Sequence, residues 1–260
     1  MRIDTLARRG VKLAVLPGGV VTRRRPGDLV ILLYHRVGAG EREIDLPLAS
    51  FARQVRALAA SGRVTSLEGA LAPEAPGGVV VTFDDGSADF TEHAVPLLVE
   101  HGVPALLYLA TGMVANGGSP SEAITWPQLR EAVATGLVAV GAHTHNHTDL
   151  SRSGYREAIE EMRRSKETIE DRLGAPCRHF AYPWAVASAE ADRAARELFA
   201  TAALDAWRTN RRGRLDPFRL GRTPVLRSDG GMFFRAKARG LLDGEALAYR
   251  VLRRGPWGRT

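Results

Sequence analysis

The 260-residue chain has 45% hydrophobic and 25% charged residues, an ordinary globular composition that excludes a disordered or fibrous protein. Its one cysteine, Cys177, can form neither an intrachain disulfide nor a cysteine-based zinc site. No apolar run in the sequence approaches the ~20 residues that a membrane-spanning helix needs.

The formal charge of +7 is concentrated at the two ends of the chain. Residues 1–26 carry seven basic side chains against one acidic side chain, and residues 229–260 carry seven against three, so the remainder is net acidic. An acidic core argues against a basic nucleic-acid-binding domain. We predict a basic N-terminal extension at residues 1–27, a central folded domain at residues 28–228 and a basic C-terminal extension at residues 229–260.

The basic ends leave two interpretations open: contact with an anionic membrane surface or an acidic partner, and ordinary solvated tails. The most apolar N-terminal stretch, residues 11–21, is short, is broken by Pro17 and has no secretory cleavage site after it. The sequence therefore predicts a cytoplasmic location, with peripheral contact at the inner membrane face as the membrane-binding alternative. The oligomeric state is left open.

Apolar runs and helical periodicity alternate through the central domain. Buried strands are predicted at residues 29–34, 78–83, 105–109, 137–141, 179–182, 200–204 and 224–226. Helices are predicted at residues 51–61 with Ser50 as the N-cap, and at residues 91–101, 127–135, 155–173 and 187–199. This alternation favours a mostly parallel sheet or barrel, in which reactive side chains lie at the carboxyl ends of the strands.

Two adjacent carboxylates, Asp84 and Asp85, stand at the end of the second predicted strand. Adjacent carboxylates repel each other unless a cation or a proton separates them. Because successive side chains of a strand point in opposite directions, one carboxylate can bind a metal while the other handles a proton. A turn aspartate beside an N-cap is the structural alternative.

Two histidines, His143 and His147, follow the fourth predicted strand. Three intervening residues allow both imidazoles to reach one ion if the chain turns there. With one carboxylate they form a three-ligand site with an open position for water, as catalytic zinc requires. His145 is expected to point elsewhere, and Thr144 is a candidate to orient one ligand through a hydrogen bond.

A third histidine, His35, follows the first predicted strand and Tyr34. That strand opens on the same face as the proposed metal ligands. A histidine that titrates near neutral pH is a natural general acid, although a lone histidine in such a place is also a common rim residue.

Four segments together resemble the polysaccharide deacetylase family of metal-dependent carbohydrate esterases. The Thr-Phe-Asp-Asp-Gly run at residues 82–86 matches its first motif, and His-Thr-x-x-His at residues 143–147 matches its second. Residues 180–184 resemble its third motif, and residues 216–222 resemble a late segment of the branch that also has a Tyr-His strand end and acts on exopolysaccharide N-acetylglucosamine. The resemblance covers roughly residues 28–228.

The resemblance implies a distorted (β/α)7 barrel and assigns roles to the motif residues. It makes Asp84 the general base, makes Asp85, His143 and His147 the metal ligands, and gives His35 the place of the family's general-acid histidine. Tyr182 and Trp184 fall in the motif that contacts substrate, where a backbone N–H stabilises the oxyanion.

This chain departs from the family in its third motif. The place of the arginine that holds the catalytic aspartate is occupied by Ala181, and Arg178 nearby is out of register. We therefore expect Arg222, from another strand, to orient Asp84. The motif tyrosine is Trp184 here, and the glycine after it is Ala185.

The resulting hypothesis is hydrolysis of N-acetyl groups on an amino-sugar glycan, with release of acetate. One divalent cation is implied; Zn²⁺ is the default, and other divalent transition metals suit nitrogen and oxygen ligands as well. The glycan is the expected partner, in free or lipid-linked form. Two alternatives stay open: an amide or ester hydrolase of the same fold with a non-polysaccharide substrate, and an inactive relative that binds glycan.

Overall fold

The computed structural model describes residues 27–114, 122–204 and 207–243, with the single positions Gly10, Leu13 and Glu245. The predicted membrane contact depends on residues 1–26 and on the end of the chain, which lie almost wholly outside this described part. Within it, none of the helices combines the length and the apolarity that a bilayer-spanning segment requires.

Strands and helices alternate through the described chain. In order, the elements are β1 (Leu29–Tyr34), β2 (Arg36–Val37), β3 (Asp45–Leu46), α1 (Leu48–Ala60), α2 (Leu67–Leu71), β4 (Gly78–Asp85), α3 (Val95–Glu100), β5 (Ala105–Leu109), α4 (Trp126–Ala134), β6 (Val138–Ala142), α5 (Tyr155–Leu173), β7 (His179–Ala181), α6 (Ala189–Leu198), β8 (Thr201–Leu204), β9 (Leu220–Gly221), β10 (Thr223–Pro224) and α7 (Gly230–Ala238). A π-helical turn, Phe90–Ala94, precedes α3, and 3₁₀ turns lie at Thr111–Met113, Pro183–Ala185 and Arg212–Arg214.

Eight of these strands form one parallel sheet in the order β10-β1-β4-β5-β6-β7-β8-β9. Only Arg222 separates β9 from β10, yet β9 pairs with β8 and β10 pairs with β1. Residues 220–224 therefore act as one split strand that nearly closes the sheet into a barrel. Counted in this way the barrel has seven strands, and the expected distorted (β/α)7 fold is confirmed.

The strands are apolar on both faces because both faces are covered. Along β1, Leu29 and Ile31 belong to an apolar cluster inside the barrel, whereas Val30 and Leu32 belong to the larger cluster under the helices. All six residues of β1 are buried. This two-sided burial explains why the strands appear in the sequence as continuous apolar runs.

Gly141 makes room for an aromatic ring at the centre of the barrel. A Cβ atom at this position would lie 2.7 Å from the carbonyl oxygen of His179 and 2.9 Å from Cδ1 of Tyr108. Because Gly141 of β6 has no side chain, the Tyr108 ring can fill the middle of the barrel. The guanidinium of Arg222 lies over this ring, 5.1 Å from its centroid.

Local predictions of the helices were confirmed in part. Helix α5 has the predicted bounds and ends at Gly174, whose φ of 65° suits a glycine. Ser50 is not an N-cap: α1 begins at Leu48 after Pro47, and the Ser50 N–H already donates to the Pro47 carbonyl. Pro47 occupies the N-cap position instead, without a side-chain hydrogen bond to the helix.

Helix α7 lies beyond the domain boundary that we predicted at residue 228. Its Phe234 belongs to the cluster under the helices, and its buried Lys237 donates to the Pro224 carbonyl at 2.7 Å and pairs with Asp229 at 3.0 Å. The first part of the predicted C-terminal extension thus contacts the barrel. The boundaries themselves stay a prediction.

Candidate active site

The polar residues singled out in the sequence gather at the carboxyl end of the barrel. Asp84 and Asp85 end β4, the segment 143–147 follows β6, and residues 182–184 follow β7. Arg222 reaches the same end from the split strand, 138 residues away from Asp84. Parallel strands place their carboxyl ends together, so the topology assembles the site.

Three side chains form a cluster with the chemistry of a metal site. The Asp85 Oδ1 atom lies 3.2 Å from His147 Nε2 and 3.6 Å from His143 Nε2, and one ligand atom from each residue lies within 4.8 Å of the others. Two imidazoles and a carboxylate are ligands that Zn²⁺ and other divalent transition metals accept. The residues present therefore fit the cation that the family resemblance implies.

The buried His143 is held with one ring nitrogen directed at the carboxylates. Its Nδ1 atom lies 2.8 Å from the backbone carbonyl oxygen of Ala181, so this nitrogen carries the proton and Nε2 keeps its lone pair. Burial lowers the pKa of His143 to about 4, although the charges of Asp84 and Asp85 act in the opposite direction. A neutral imidazole is the form that binds a metal.

The other two members of the cluster, Asp85 and His147, are joined by a hydrogen bond. Burial by itself would raise the pKa of Asp85, but a hydrogen bond from His147 and the nearby histidines hold it well below its ordinary value. Burial lowers the pKa of His147, yet its hydrogen bond to Asp85 and the two carboxylates outweigh burial, so the net shift is upward. The Asp85–His147 hydrogen bond therefore shifts the pKa values of the two groups in opposite directions.

The segment 143–147 makes a strained turn. Thr144 and His147 have positive φ angles of 61° and 54°, which are uncommon for residues other than glycine. We expected Thr144 to orient a ligand; that expectation was wrong, because its hydroxyl accepts the Thr148 N–H at 3.0 Å and so closes the turn. The backbone carbonyl of Ala181 orients His143 instead.

His145 points away from the cluster, in agreement with the sequence analysis. Its Nδ1 atom lies 2.8 Å from the Thr111 hydroxyl oxygen. The alternation of direction through the turn leaves His143 and His147 on one side and His145 on the other.

Asp84 lies beside the cluster and is almost fully buried. Arg222 donates two hydrogen bonds to it, from Nη1 to Oδ1 at 2.5 Å and from Nη2 to Oδ2 at 2.7 Å. Burial by itself would raise the pKa of Asp84, but the Arg222 guanidinium, with smaller contributions from His143 and His35, lowers it. Asp84 is therefore ionised at neutral pH and is oriented by a planar, bidentate hydrogen-bonded pair with Arg222.

The expected contact between Arg222 and Asp84 is present. The small side chain of Ala181, where the resemblance places an arginine, packs with the Tyr108 ring in the cluster inside the barrel. The role of Tyr108 as the support beneath Arg222 was not predicted from the sequence. Its only signal in the sequence is an aromatic residue on the inward-facing register of β5.

The turn after β7 exposes one aromatic ring at the site and buries the other. Trp184 is 66% exposed, has a φ angle of 56°, and its ring lies 5.0 Å from that of His147. Tyr182 is buried, and its hydroxyl donates to Asp192 on α6 at 3.4 Å. The Tyr182 side chain therefore packs under a helix and does not line the site.

His35 lies at the same end, directly after β1, and is half-buried. Its charge contributes to lowering the pKa of both Asp84 and Asp85. The structure thus brings His35 into the electrostatic neighbourhood of both carboxylates.

Comparison with known proteins agrees with this geometry. The polysaccharide deacetylase family model matches residues 72–203, about half of the chain and the part that contains both aspartates and the three-ligand cluster. The chain belongs to the polysaccharide deacetylase family. A curated relative, the candidate polysaccharide deacetylase YxkH of Bacillus subtilis (strain 168), is 25% identical over 170 residues, which cover 63% of this chain and 59% of YxkH.

Solved structures share the fold over most of the chain. The deacetylase PplD of Streptococcus pyogenes, solved in complex with acetate, has a TM-score of 0.73 at 22% identity and covers 82% of this chain and 99% of its own. IcaB from Ammonifex degensii has a TM-score of 0.71 at 27% identity, with 85% of this chain and 100% of IcaB covered. A de-N-acetylase from Aggregatibacter actinomycetemcomitans has a TM-score of 0.65 at 19% identity and covers 81% of this chain and 99% of its own.

Proposed function

We propose that this protein hydrolyses N-acetyl groups on an amino-sugar glycan and releases acetate, with one divalent cation held by Asp85, His143 and His147. The observation that carries this proposal is a buried, ionised carboxylate, Asp84, placed directly beside a set of metal-ligand side chains. His143 Nε2 lies 3.7 Å from Asp84 Oδ2 and 3.6 Å from Asp85 Oδ1. We expect Zn²⁺ to be the resident ion.

The chemistry that a cation supplies at such a site is polarisation of the amide carbonyl and activation of a water. Asp84 is the residue that accepts the proton of the attacking water, because Arg222 keeps it ionised in a buried position. A backbone N–H of the turn at Trp184 donates a hydrogen bond to the oxyanion, which acyl-transfer sites commonly stabilise in this way.

His35 donates a proton to the departing nitrogen. An amide nitrogen cannot leave as an anion, so cleavage of the C–N bond requires an acid at this point. His35 is assigned this role because it lies at the same end of the barrel and interacts electrostatically with Asp84 and Asp85. The exposed indole of Trp184, beside the ligand His147, is assigned to contact with the sugar.

Acetate release tests the proposal. The purified protein, with its metal content measured on the same sample, is incubated with N-acetylglucosamine oligomers and with an O-acetylated glycan. The expected result is metal-dependent acetate release from the N-acetylated oligomers.

Release only from the ester would favour an esterase of the same fold. Metal and glycan binding without any release would favour an inactive relative, the alternative that Ala181 in place of the motif arginine keeps open. The cytoplasmic location and a lipid-linked substrate stay predictions.

Arg222→Ala is expected to reduce kcat/KM by about 10²-fold, because Asp84 loses the contact that orients it. Without the guanidinium, burial raises the pKa of Asp84, so the active ionised form appears only at higher pH. The acidic limb of the pH–rate profile should therefore move to higher pH. Arg222→Lys, which keeps the charge and loses the two-pronged contact, should shift the limb less.

The matched control for this prediction is Arg219→Ala. Arg219 lies on the same segment but has a half-exposed side chain, which pairs with Asp192 at 3.5 Å. It should leave both the activity and the acidic limb unchanged. An unchanged limb and unchanged activity in Arg222→Ala would reduce Arg222 to a structural residue.

A further inference from the structure

The turn that carries His143 and His147 needs support from outside itself. Thr144 and His147 adopt left-handed backbone conformations, which are strained for residues other than glycine and persist only where the surroundings hold them. The Thr144 hydroxyl closes the turn internally through the Thr148 N–H. That bond does not fix the position of the turn relative to the barrel.

Glu161, on the half-buried side of α5, contacts the middle of this turn with both carboxylate oxygens. Its Oε2 atom accepts the backbone N–H groups of His145 at 3.1 Å and of Asn146 at 2.8 Å. Its Oε1 atom accepts the Asn146 side-chain amide at 2.6 Å. Hydrogen bonds to an ionised acceptor are roughly twice as strong as neutral ones, so this is a strong anchor.

The opposite side of the turn is held by the segment after β5. Gly112 donates its N–H to the His145 carbonyl at 2.7 Å, and Thr111 contacts the His145 ring. A Cβ atom on Gly112 would lie 2.8 Å from that carbonyl oxygen, so the approach is close. The residue midway between the two histidine ligands is thus fixed from both sides, by α5 and by the segment after β5.

We propose that Glu161 is a positioning residue of the metal centre: it holds the backbone between His143 and His147 so that both imidazoles face Asp85 before a cation binds. This inference rests on the metal centre of the proposed function. No sequence motif marks Glu161, because it lies 16 residues from His145 on a helix whose surface is rich in charge. Groups that hold metal ligands in place typically contribute 10- to 100-fold, in order of magnitude, to metal affinity.

Zn²⁺ affinity of the full-length protein, measured by competition with a chelator after metal removal, tests the inference. Glu161→Ala should weaken Zn²⁺ binding by about 10- to 100-fold. Glu161→Gln should weaken it less, since an amide oxygen still accepts the backbone N–H groups. At saturating Zn²⁺, Glu161→Ala should regain most of its kcat, with an unchanged KM for the glycan.

The matched control is Glu160→Ala, one residue away on the same helix, whose side chain is exposed and lies 4.0 Å from Arg163. It should bind Zn²⁺ as the unmodified protein does.

A merely structural Glu161 would lower the unfolding midpoint of the metal-free protein without changing the Zn²⁺ dissociation constant, and that result overturns the inference. If Glu161→Ala does not fold, Glu161→Gln and Asn146→Ala replace it, and unchanged affinity in both has the same meaning. Absence of Zn²⁺ binding by the unmodified protein would instead contradict the proposed metal centre itself.

Discussion

Asp84→Asn is expected to retain the divalent cation and to lose turnover by on the order of 10²–10⁴-fold, the contribution of a general base. The asparagine amide has nearly the shape of the carboxylate but cannot accept the proton of the attacking water. The three ligand residues, Asp85, His143 and His147, are unchanged. Acetate release and elemental analysis on the same sample measure the two effects.

The loss of activity must be separated from a loss of stability. Arg222 is 1% exposed, so Asp84→Asn leaves a buried guanidinium without its counter-ion, which typically costs about 3–5 kcal/mol of the free energy of unfolding. Combining Asp84→Asn with Arg222→Met replaces the pair by neutral side chains. This double variant should recover stability, measured by denaturant unfolding, and should stay inactive.

Asp85→Asn is the comparison that assigns the two aspartates. It should lose the metal, because a neutral amide oxygen is a weak ligand in place of a carboxylate. If Asp84→Asn lost the metal while Asp85→Asn kept it, the roles of the pair would be reversed.

His143→Ala should remove most of the bound metal, because a site with three protein ligands cannot spare one. We expect the dissociation constant to rise by more than the ~100-fold that loss of a supporting group can cost. The variant also leaves the Ala181 carbonyl without its present partner, with a stability cost of about 1–3 kcal/mol. Metal content by elemental analysis, after dialysis against metal-free buffer, measures the outcome.

His145→Ala is the matched control for this experiment. It removes an imidazole from the same turn, but one that faces Thr111 rather than Asp85. It should keep far more of its metal than His143→Ala, because both ligand imidazoles remain and Glu161 and Gly112 still hold the backbone of the turn. Full metal occupancy in His143→Ala would show that the cation is held at a place other than this three-residue cluster.

Much of the architecture could be predicted because its signals are local. A strand buried on both faces is apolar at nearly every position, so β1 and the valines 79–81 of β4 are visible as continuous apolar runs. The 3.6-residue periodicity and the terminal glycine define α5 to the residue. The very short strands were difficult to predict, since two-residue elements such as β9 and β10 have no periodicity to detect.

The site residues, like the strands and helices, include some with a local sequence signal and some without one. His143 and His147 are close to each other in sequence, as are Asp84 and Asp85, and each pair stands at a strand end. Their types and spacing within each pair already indicate a metal site. Trp184 and Tyr182 are also close in sequence, yet one ring is exposed at the site and the other is buried under α6. The direction of a side chain in an irregular turn depends on the surrounding packing, which the local sequence does not encode.

The sequence by itself determined the strand–helix alternation, the end of the barrel at which the reactive groups meet, and the candidate ligands, because each depends on residues near one another in the chain. The family resemblance led us to expect the contact of Arg222 with Asp84 across 138 residues. Only the tertiary structure showed the Ala181 carbonyl on His143 across 38 residues, and Glu161 on the ligand turn. These contacts join elements that become neighbours only when the barrel closes. The closing segment, residues 220–224, pairs with strands on both sides and has no local pattern from which its position could be inferred.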